Sequence, residues 1–130
     1  MELSSRIFVA GHRGLIGSAF VRRFEKLGFT HLLTRTRAEL ELCDAAAVDA
    51  FFREQRPEYV IMAAGKVGGI VQNKTFPADF MNQNLLIQGN MMAAAHRYNV
   101  RKVLFFASSC MYPRECPQPM AEDALLTGKP

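Results

Sequence analysis

Long apolar runs, paired cysteines and runs of basic residues are all missing from this sequence. No apolar segment approaches the ~20 residues that a membrane-spanning helix needs, so we expect no membrane span. The 3 cysteines, an odd number, argue against a disulfide framework and favour a reducing cytoplasm. No basic stretch precedes a long apolar one at the amino terminus, so we expect no secretory signal. Cysteine and histidine spacing does not suggest a zinc site, and we expect no metal.

Strong charge of either sign is also missing. The 16 Lys and Arg against 12 Asp and Glu leave a net charge of +4. No basic run carries interleaved aromatic residues, so we predict no nucleic-acid partner. A small ligand rich in phosphate would account for the mild positive charge equally well. The 130 residues, 49% of them hydrophobic, are enough for one core and not for two.

Short apolar strands alternate with helical segments along the chain. This order predicts an α/β fold, a Rossmann-like doubly wound parallel sheet with right-handed crossovers. We predict strands at 7–10, 31–34, 59–63 and 102–107, an extended piece at 40–42, and helices at 15–27, 45–55 and 78–98. Residues 66–75 and those from 111 onward are expected to be loops. Four apolar residues of the long helix are expected in the core: Met81, Leu85, Met91 and Met92.

The most informative segment lies between the first strand and the first helix. Its glycines follow the pattern G-x-x-G-x-x-G. Glycine permits close approach of a pyrophosphate, and the following helix presents free amides and its dipole. The alternative is a turn that only packs a helix on a sheet. The predicted cofactor-binding residues here are Gly11, His12, Arg13, Gly14, Leu15, Ile16 and Gly17.

The residues after the second strand bear on the choice between NAD and NADP. No acid stands at the tip of that strand, where a carboxylate would bind a ribose 2′-hydroxyl. We interpret Arg13 and Arg37 as a clamp for the 2′-phosphate of NADP(H), with Arg35 a weaker candidate. The alternative is that all three are solvated loop arginines. Glu39 and Glu41 are interpreted as ordinary surface acids.

Further candidates follow the second and third strands. Asp44 is predicted to cap a helix, and it is either a cap alone or also a contact for the adenine amino group. Ala63 and Ala64 are small enough to pass under the adenosine ribose, and Lys66 opens a glycine-containing loop. A plain strand-to-helix loop is the alternative. Asn84 either faces the same crevice from the long helix or is an exposed polar residue.

Several segments together resemble one family. G-H-R-G-L-I-G at 11–17, R-T-R at 35–37, A-A-G-K-V-G-G-I at 63–70 and S-S-C-M-Y-P at 108–113 are similar to GDP-L-fucose synthases. These are extended short-chain dehydrogenases/reductases. The resemblance implies an NADPH-dependent enzyme that epimerises GDP-4-keto-6-deoxy-D-mannose at C3 and C5 and then reduces C4. It also implies a GDP-sugar partner and a homodimer.

The resemblance assigns roles to two residues after the fourth strand. Ser108 would hold the substrate carbonyl, and Cys110 would be an acid/base in epimerisation. Without the resemblance, Ser108 reads as the end of a strand or a cap, and Cys110 as a buried free thiol like Cys43 and Cys116.

Other functional residues of the family lie further along its members. We expect its Tyr-x-x-x-Lys pair and later histidine to have no counterpart here. Residues 1–130 are therefore interpreted as an incomplete N-terminal NADP-binding domain with a truncated sheet and no substrate domain, inactive alone. The alternatives are a non-catalytic folding or association module, or another nucleotide-sugar epimerase or dehydratase of the same extended family.

Overall fold

The computed structural model describes residues 1–129, and within them four strands alternate with four α-helices. The strands are β1 (Ile7–Ala10), β2 (Leu32–Leu33), β3 (Tyr59–Met62) and β4 (Lys102–Phe105). The helices are α1 (Leu15–Lys26), α2 (Ala45–Gln55), α3 (Ile70–Thr75) and α4 (Pro77–Arg97). Two 3-10 turns follow, at Ser109–Met111 and Glu122–Ala124. No helix of the described part is both long and apolar enough to cross a membrane.

The sheet is parallel throughout, in the order β2-β1-β3-β4. In the central strand, Ile7 pairs with Leu32 on one side and Tyr59 on the other. The chain therefore crosses from β2 over β1 to reach β3, the reversal of strand order found in doubly wound sheets. The predicted α/β, Rossmann-like fold is confirmed. β2 and β4 are each two residues shorter than predicted.

Side chains of the central strand alternate between two cores because successive residues point to opposite faces. Ile7 and Val9 pack with Phe24 of α1 on one face. On the other face, Phe8 packs with buried residues of α2 and α4, among them Phe52 and Met91. Helices thus cover both faces, and all four residues of β1 are buried.

The predicted extended piece at 40–42 is wrong. The chain turns there, with the amide of Leu40 donating to Thr36 O at 2.9 Å. The carboxylate of Glu39 fixes this turn by accepting from the amide and the hydroxyl of Thr36, both at 2.7 Å. Leu40 is buried in the α2–α4 core, so its apolar character reflects packing and not a strand.

The loop predicted at 66–75 is interrupted by α3. Its six residues follow Gly69, and Asn73 donates to the carbonyls of Gly68 and Gly69. None of the residues of α3 is buried. Sequence periodicity could not reveal it, because a helix of fewer than two turns has no repeating apolar face.

Only one of the four α4 residues predicted in the core lies there. Met91 is 1% exposed, whereas Met81 and Leu85 are 67% and 60% exposed and Met92 is 36% exposed. The expectation for these three is wrong because α2 and the sheet cover only one side of α4. The edge strand β4 is likewise only partly covered.

Candidate functional site

A cleft of about 570 Å³ lies at the carboxyl edge of the sheet, where the predicted loops converge. Its floor is formed by β1, and its walls by the glycine turn, the loop after β2 and the loop after β3. It contains eight of the twelve predicted cofactor-binding residues: Gly11, Gly14, Leu15, Ile16, Arg37, Ala63, Ala64 and Lys66. The other four, His12, Arg13, Gly17 and Asp44, lie beside it and are not among its lining residues.

The glycines of the turn permit close backbone packing. Gly11 has φ +80°, and a Cβ there would lie 2.6 Å from Ala63 O. A Cβ on Gly17 would lie 2.2 Å from Gly11 O, so any side chain would push α1 away from the turn. Gly14 is less crowded and begins α1 without a side-chain cap.

The amino end of α1 is therefore open toward the cleft. Its first turn carries no acidic residue, and Leu15 is 90% exposed. The first amides of a helix have no partner within the helix and attract anions. Among the described residues, His12 Nδ1 is a buried side-chain nitrogen without a hydrogen-bond partner. The turn thus has unmet donor or acceptor capacity next to a helix amino terminus.

The arginines lie around the loop that follows β2. Arg35 and Arg37 both line the cleft. The guanidinium of Arg35 lies 5.4 Å from the centroid of the Phe51 ring, and its Nη1 donates to the Thr34 carbonyl. Arg35 is thus held against the fold, whereas the side chain of Arg37 is 75% exposed.

Arg13 lies on the same side of the molecule as this loop. The pKa of Glu39 is lowered mainly by its hydrogen bonds from Thr36, and further by the positive charges of Arg35 and Arg13. Arg13 and Arg35 are therefore both close enough to Glu39 for their positive charges to act on its carboxylate.

Glu41 is not the ordinary surface acid that the sequence suggested. It lines the cleft, and its Oε2 lies 2.6 Å from Arg37 Nε. Its Oε1 accepts from the Cys43 amide at 3.0 Å. These two contacts lower the pKa of Glu41, and the hydrogen bond from the Cys43 amide has the larger effect. Glu41 in turn raises the pKa of Arg37. The spacing of four between Arg37 and Glu41 gave no usable signal, because residues four apart are expected to meet on a helix and this segment is not helical.

Asp44 caps α2, as predicted. Its Oδ1 accepts from the amides of Ala46 and Ala47 at 2.9 and 3.1 Å. Neighbouring Cys43 lines the cleft and is only half-buried, which corrects the interpretation of this thiol as a core residue. Burial is the first cause that raises the pKa of Cys43, and the nearby Glu41 is the second.

The loop after β3 is held by Asn84 of α4. Asn84 Oδ1 accepts from the Lys66 amide at 2.7 Å, and its Nδ2 donates to the Lys66 carbonyl at 3.0 Å. The Lys66 ammonium lies 4.9 Å from the centroid of the Phe80 ring. Asn84 is half-buried and lines the cleft that adjoins the first, so it is not an exposed polar residue, but it is not among the residues that line the first cleft.

A second cleft of about 560 Å³ adjoins the first. The two share the wall formed by Ala63, Ala64, Gly65, Lys66 and Val67.

Ser108 lines this second cleft, whereas exposed Cys110 lies beyond its lining residues. Ser108 Oγ accepts from the Cys110 amide at 3.1 Å, which leaves the hydroxyl proton free to be donated. The predicted Ser108 cap is present, and the thiol of Cys110 is not buried.

The expectation about the Tyr-x-x-x-Lys pair needs a correction, since Tyr98 and Lys102 have that spacing. The structure places them away from the clefts. Tyr98 Oη donates to Asp49 Oδ2 at 2.9 Å, at the contact between α2 and α4. Lys102 begins β4 at the amino edge of the sheet, opposite the clefts. Their spacing therefore reflects a helix-to-strand connection and not a site.

Other cleft residues had no motif that could reveal them. They come from β1, the loop after β2 and α4: Phe8, Leu40, Leu42, Gln83 and Ile87. Gln83 and Ile87 are one helical turn apart, which is the only sequence signal among them. Within residues 1–129, no group of three or more His, Cys, Asp or Glu side chains is arranged to hold a metal.

Comparison with known proteins identifies the fold and its lineage. The family model described as NAD dependent epimerase/dehydratase family matches residues 7–130. The chain belongs to this family. Open α/β sheets bind their ligands outside the carboxyl ends of the strands, which is where both clefts lie.

The sequence-based resemblance to GDP-L-fucose synthases is confirmed as a similarity within this family. The chain is 55% identical over 126 residues to GDP-L-fucose synthase 1 of Arabidopsis thaliana, covering 97% of this chain and 39% of that protein. It is 53% identical over 123 residues to GDP-L-fucose synthase of Escherichia coli (strain K12), covering 95% and 38% respectively. The chain thus spans about two fifths of the length of these relatives.

A solved structure of a similar protein has the same fold. A GDP-mannoheptose C4 reductase from Campylobacter jejuni with NADP bound is 41% identical and superposes with a TM-score of 0.93. The match covers 98% of this chain and 40% of that one.

Proposed function

We propose that the first cleft binds NADP(H) and that residues 1–130 form the N-terminal cofactor-binding domain of an epimerase-reductase. The observation that carries the proposal is the convergence on one cleft of an uncapped helix amino terminus and a loop that bears two arginines, Arg35 and Arg37. The uncapped first turn of α1 suits a pyrophosphate. The exposed guanidinium of Arg37, with Arg13 on the same side, suits a 2′-phosphate.

The remaining walls suit the rest of the dinucleotide. Ala63 and Ala64 leave space beside the adenosine ribose, and the Lys66 backbone is fixed by Asn84 at the border between the clefts. Asp44 Oδ2 is not used by the cap and would be available to the adenine amino group. NADPH, when bound, supplies a hydride.

We further propose that the complete protein converts GDP-4-keto-6-deoxy-D-mannose to GDP-L-fucose. Support comes from the names of the curated relatives and from the second cleft next to the first. There, Ser108 would donate its free hydroxyl proton to the sugar carbonyl. Cys110 is exposed and would exchange protons during epimerisation. A cytoplasmic location stays a prediction from the cysteine content.

The cofactor proposal is tested by arginine variants of the chain. Arg37→Ala and Arg13→Ala should each weaken NADPH binding about tenfold, because a charge-assisted hydrogen bond is lost. NADH binding should change little. Arg23→Ala on α1 removes an exposed arginine outside the cleft and is the matched control. Equal losses for both nucleotides, or no loss in either variant, would refute the 2′-phosphate clamp.

We also propose that α4 pairs with its copy in a homodimer. Met81, Leu85 and Met92 form one exposed apolar stripe along this helix. Burying such a stripe between two copies is favourable, and light scattering measures it directly. The double variant Met81→Asp with Leu85→Asp should shift a dimer to monomer without weakening NADPH binding. If the chain is dimeric and binds no NADPH, the non-catalytic association module is favoured instead.

A further inference from the structure

The carboxylate of Glu41 forms an ion pair with the guanidinium of Arg37, on which the proposed 2′-phosphate clamp depends. Glu41 contacts Arg37 Nε through Oε2 at 2.6 Å. Its other oxygen is fixed by the Cys43 amide at 3.0 Å. Both Glu41 and Arg37 line the first cleft. The pair therefore lies at the cleft wall and not on a remote surface.

This contact limits how Arg37 can hold a phosphate. A guanidinium grips an anion with two parallel donors, either Nε with one Nη or both Nη groups. Because Nε donates to Glu41, only the Nη pair is left. The carboxylate also offsets the positive charge of Arg37, so an incoming phosphate meets a nearly neutral pair.

The same pair of Arg37 and Glu41 does not disfavour a ribose 2′-hydroxyl in this way. The hydroxyl is uncharged and gains nothing from a free guanidinium charge, and it can donate to a carboxylate. Glu41 thus reduces the attraction for the 2′-phosphate without an equal penalty for the 2′-hydroxyl.

We propose that Glu41 is a positioning residue that affects cofactor preference. By holding Arg37, it lowers the affinity for NADPH more than the affinity for NADH, and so reduces the ratio between the two. The proposal rests on the proposed NADP(H) site. It identifies a specificity element that the pattern of arginines alone does not indicate.

Glu39 offers a matched comparison two residues away. It has the same charge and lies in the same loop, but its carboxylate accepts from the Thr36 amide and hydroxyl. It is not among the residues that line the cleft. Glu39→Gln therefore removes one negative charge near the arginines without releasing Arg37.

The experiment measures 2′,5′-ADP and 5′-AMP binding by calorimetry, with NADPH and NADH as the complete cofactors. Glu41→Gln keeps the side-chain shape and one acceptor oxygen, which can still accept from the Cys43 amide, and it removes the charge and the second acceptor that holds Arg37 Nε. It should tighten binding of 2′,5′-ADP and NADPH about two- to fivefold, the range of an exposed ion pair. Binding of 5′-AMP and NADH should change less than about twofold, and Glu39→Gln should reproduce little of the gain.

A double variant shows whether the effect runs through Arg37. In an Arg37→Ala background, Glu41→Gln should no longer tighten 2′,5′-ADP binding. An equal gain there, an unchanged ratio of affinities in Glu41→Gln, or weaker NADPH binding in that variant would each overturn the proposal. Failure of the NADP(H) site itself looks different, because the unmodified chain would then bind neither NADPH nor 2′,5′-ADP.

Discussion

The side-chain amide of Asn84 pairs with both backbone polar groups of Lys66, accepting from its N–H at 2.7 Å and donating to its carbonyl at 3.0 Å. A residue of α4 thereby holds the backbone of the loop that follows β3. Because Lys66 lies in the wall shared by the two clefts, this pairing fixes the border between them.

Asn84→Ala should remove both hydrogen bonds and leave the Lys66 backbone without them. We expect a loss of about 1–3 kcal/mol in the free energy of unfolding, at about 0.5–1.5 kcal/mol for each of the two bonds. NADPH affinity should also fall, because the loop is no longer held in place. Asn82→Ala removes an exposed asparagine from the same helix and should change neither. Urea unfolding and NADPH titration of both variants test this prediction. Equal stability and equal NADPH affinity in Asn84→Ala and Asn82→Ala would contradict it.

Alanine at two glycines should have opposite effects. At Gly17 the new Cβ would lie 2.2 Å from Gly11 O, so Gly17→Ala should cost about 1–3 kcal/mol of stability. It should also abolish nucleotide binding by displacing α1. Gly89 lies inside α4 with nothing within 4 Å of its Cβ position, so Gly89→Ala should add about 0.5–1 kcal/mol. Chemical unfolding measures both, and a stable Gly17→Ala that binds NADPH would be inconsistent with the packed turn.

Acid should weaken the contact between α2 and α4 through Asp49. The pKa of Asp49 is lowered in the fold, first by the Tyr98 hydroxyl and then by Arg97. A carboxyl with a lowered pKa contributes stability above its unfolded pKa, about 4, and loses it as pH falls through the folded value. Asp49→Asn should therefore lose less stability than the unmodified chain below about pH 4.

The control for this prediction is Glu25→Gln, which removes an exposed carboxylate from α1. Thermal unfolding recorded across the acidic range compares the three proteins. Parallel pH profiles for Asp49→Asn and the unmodified chain would show that the interaction carries no stability.

Two variants of Asp44 separate its cap from its charge. Asp44→Ala removes the acceptor for the amides of Ala46 and Ala47 and should cost about 1 kcal/mol. Asp44→Asn keeps an oxygen at the same place and should stay within about 0.5 kcal/mol of the unmodified chain. Urea unfolding tests the pair. A large loss in Asp44→Asn would mean that charge, and not capping, is the main contribution.

The parts of the fold predictable from sequence were those with strong local signals. Residues 7–10 form an apolar strand directly before a glycine turn, and Asp44 precedes a helical apolar pattern. Both predictions are confirmed. Burial was harder, because it depends on what packs against an element. Met81 and Met91 both read as core residues of α4, yet only Met91 meets the sheet.

The candidate site likewise had some features that the sequence could predict and others that it could not. The glycine turn and the residues after β3 could be placed at the cleft from strand order alone, since all carboxyl ends of a parallel sheet share one edge. The ion pair between Arg37 and Glu41 could not, because their loop has no regular period. Its geometry is set by hydrogen bonds such as that from the Cys43 amide to Glu41.

The most direct measurement is a parallel titration of the unmodified chain with NADPH and NADH at one salt concentration. The account predicts saturable binding of both, with NADPH bound more tightly and its advantage shrinking as salt screens the arginines. Absence of saturable binding, or equal affinities at low salt, would contradict the central claim that this cleft recognises a 2′-phosphate.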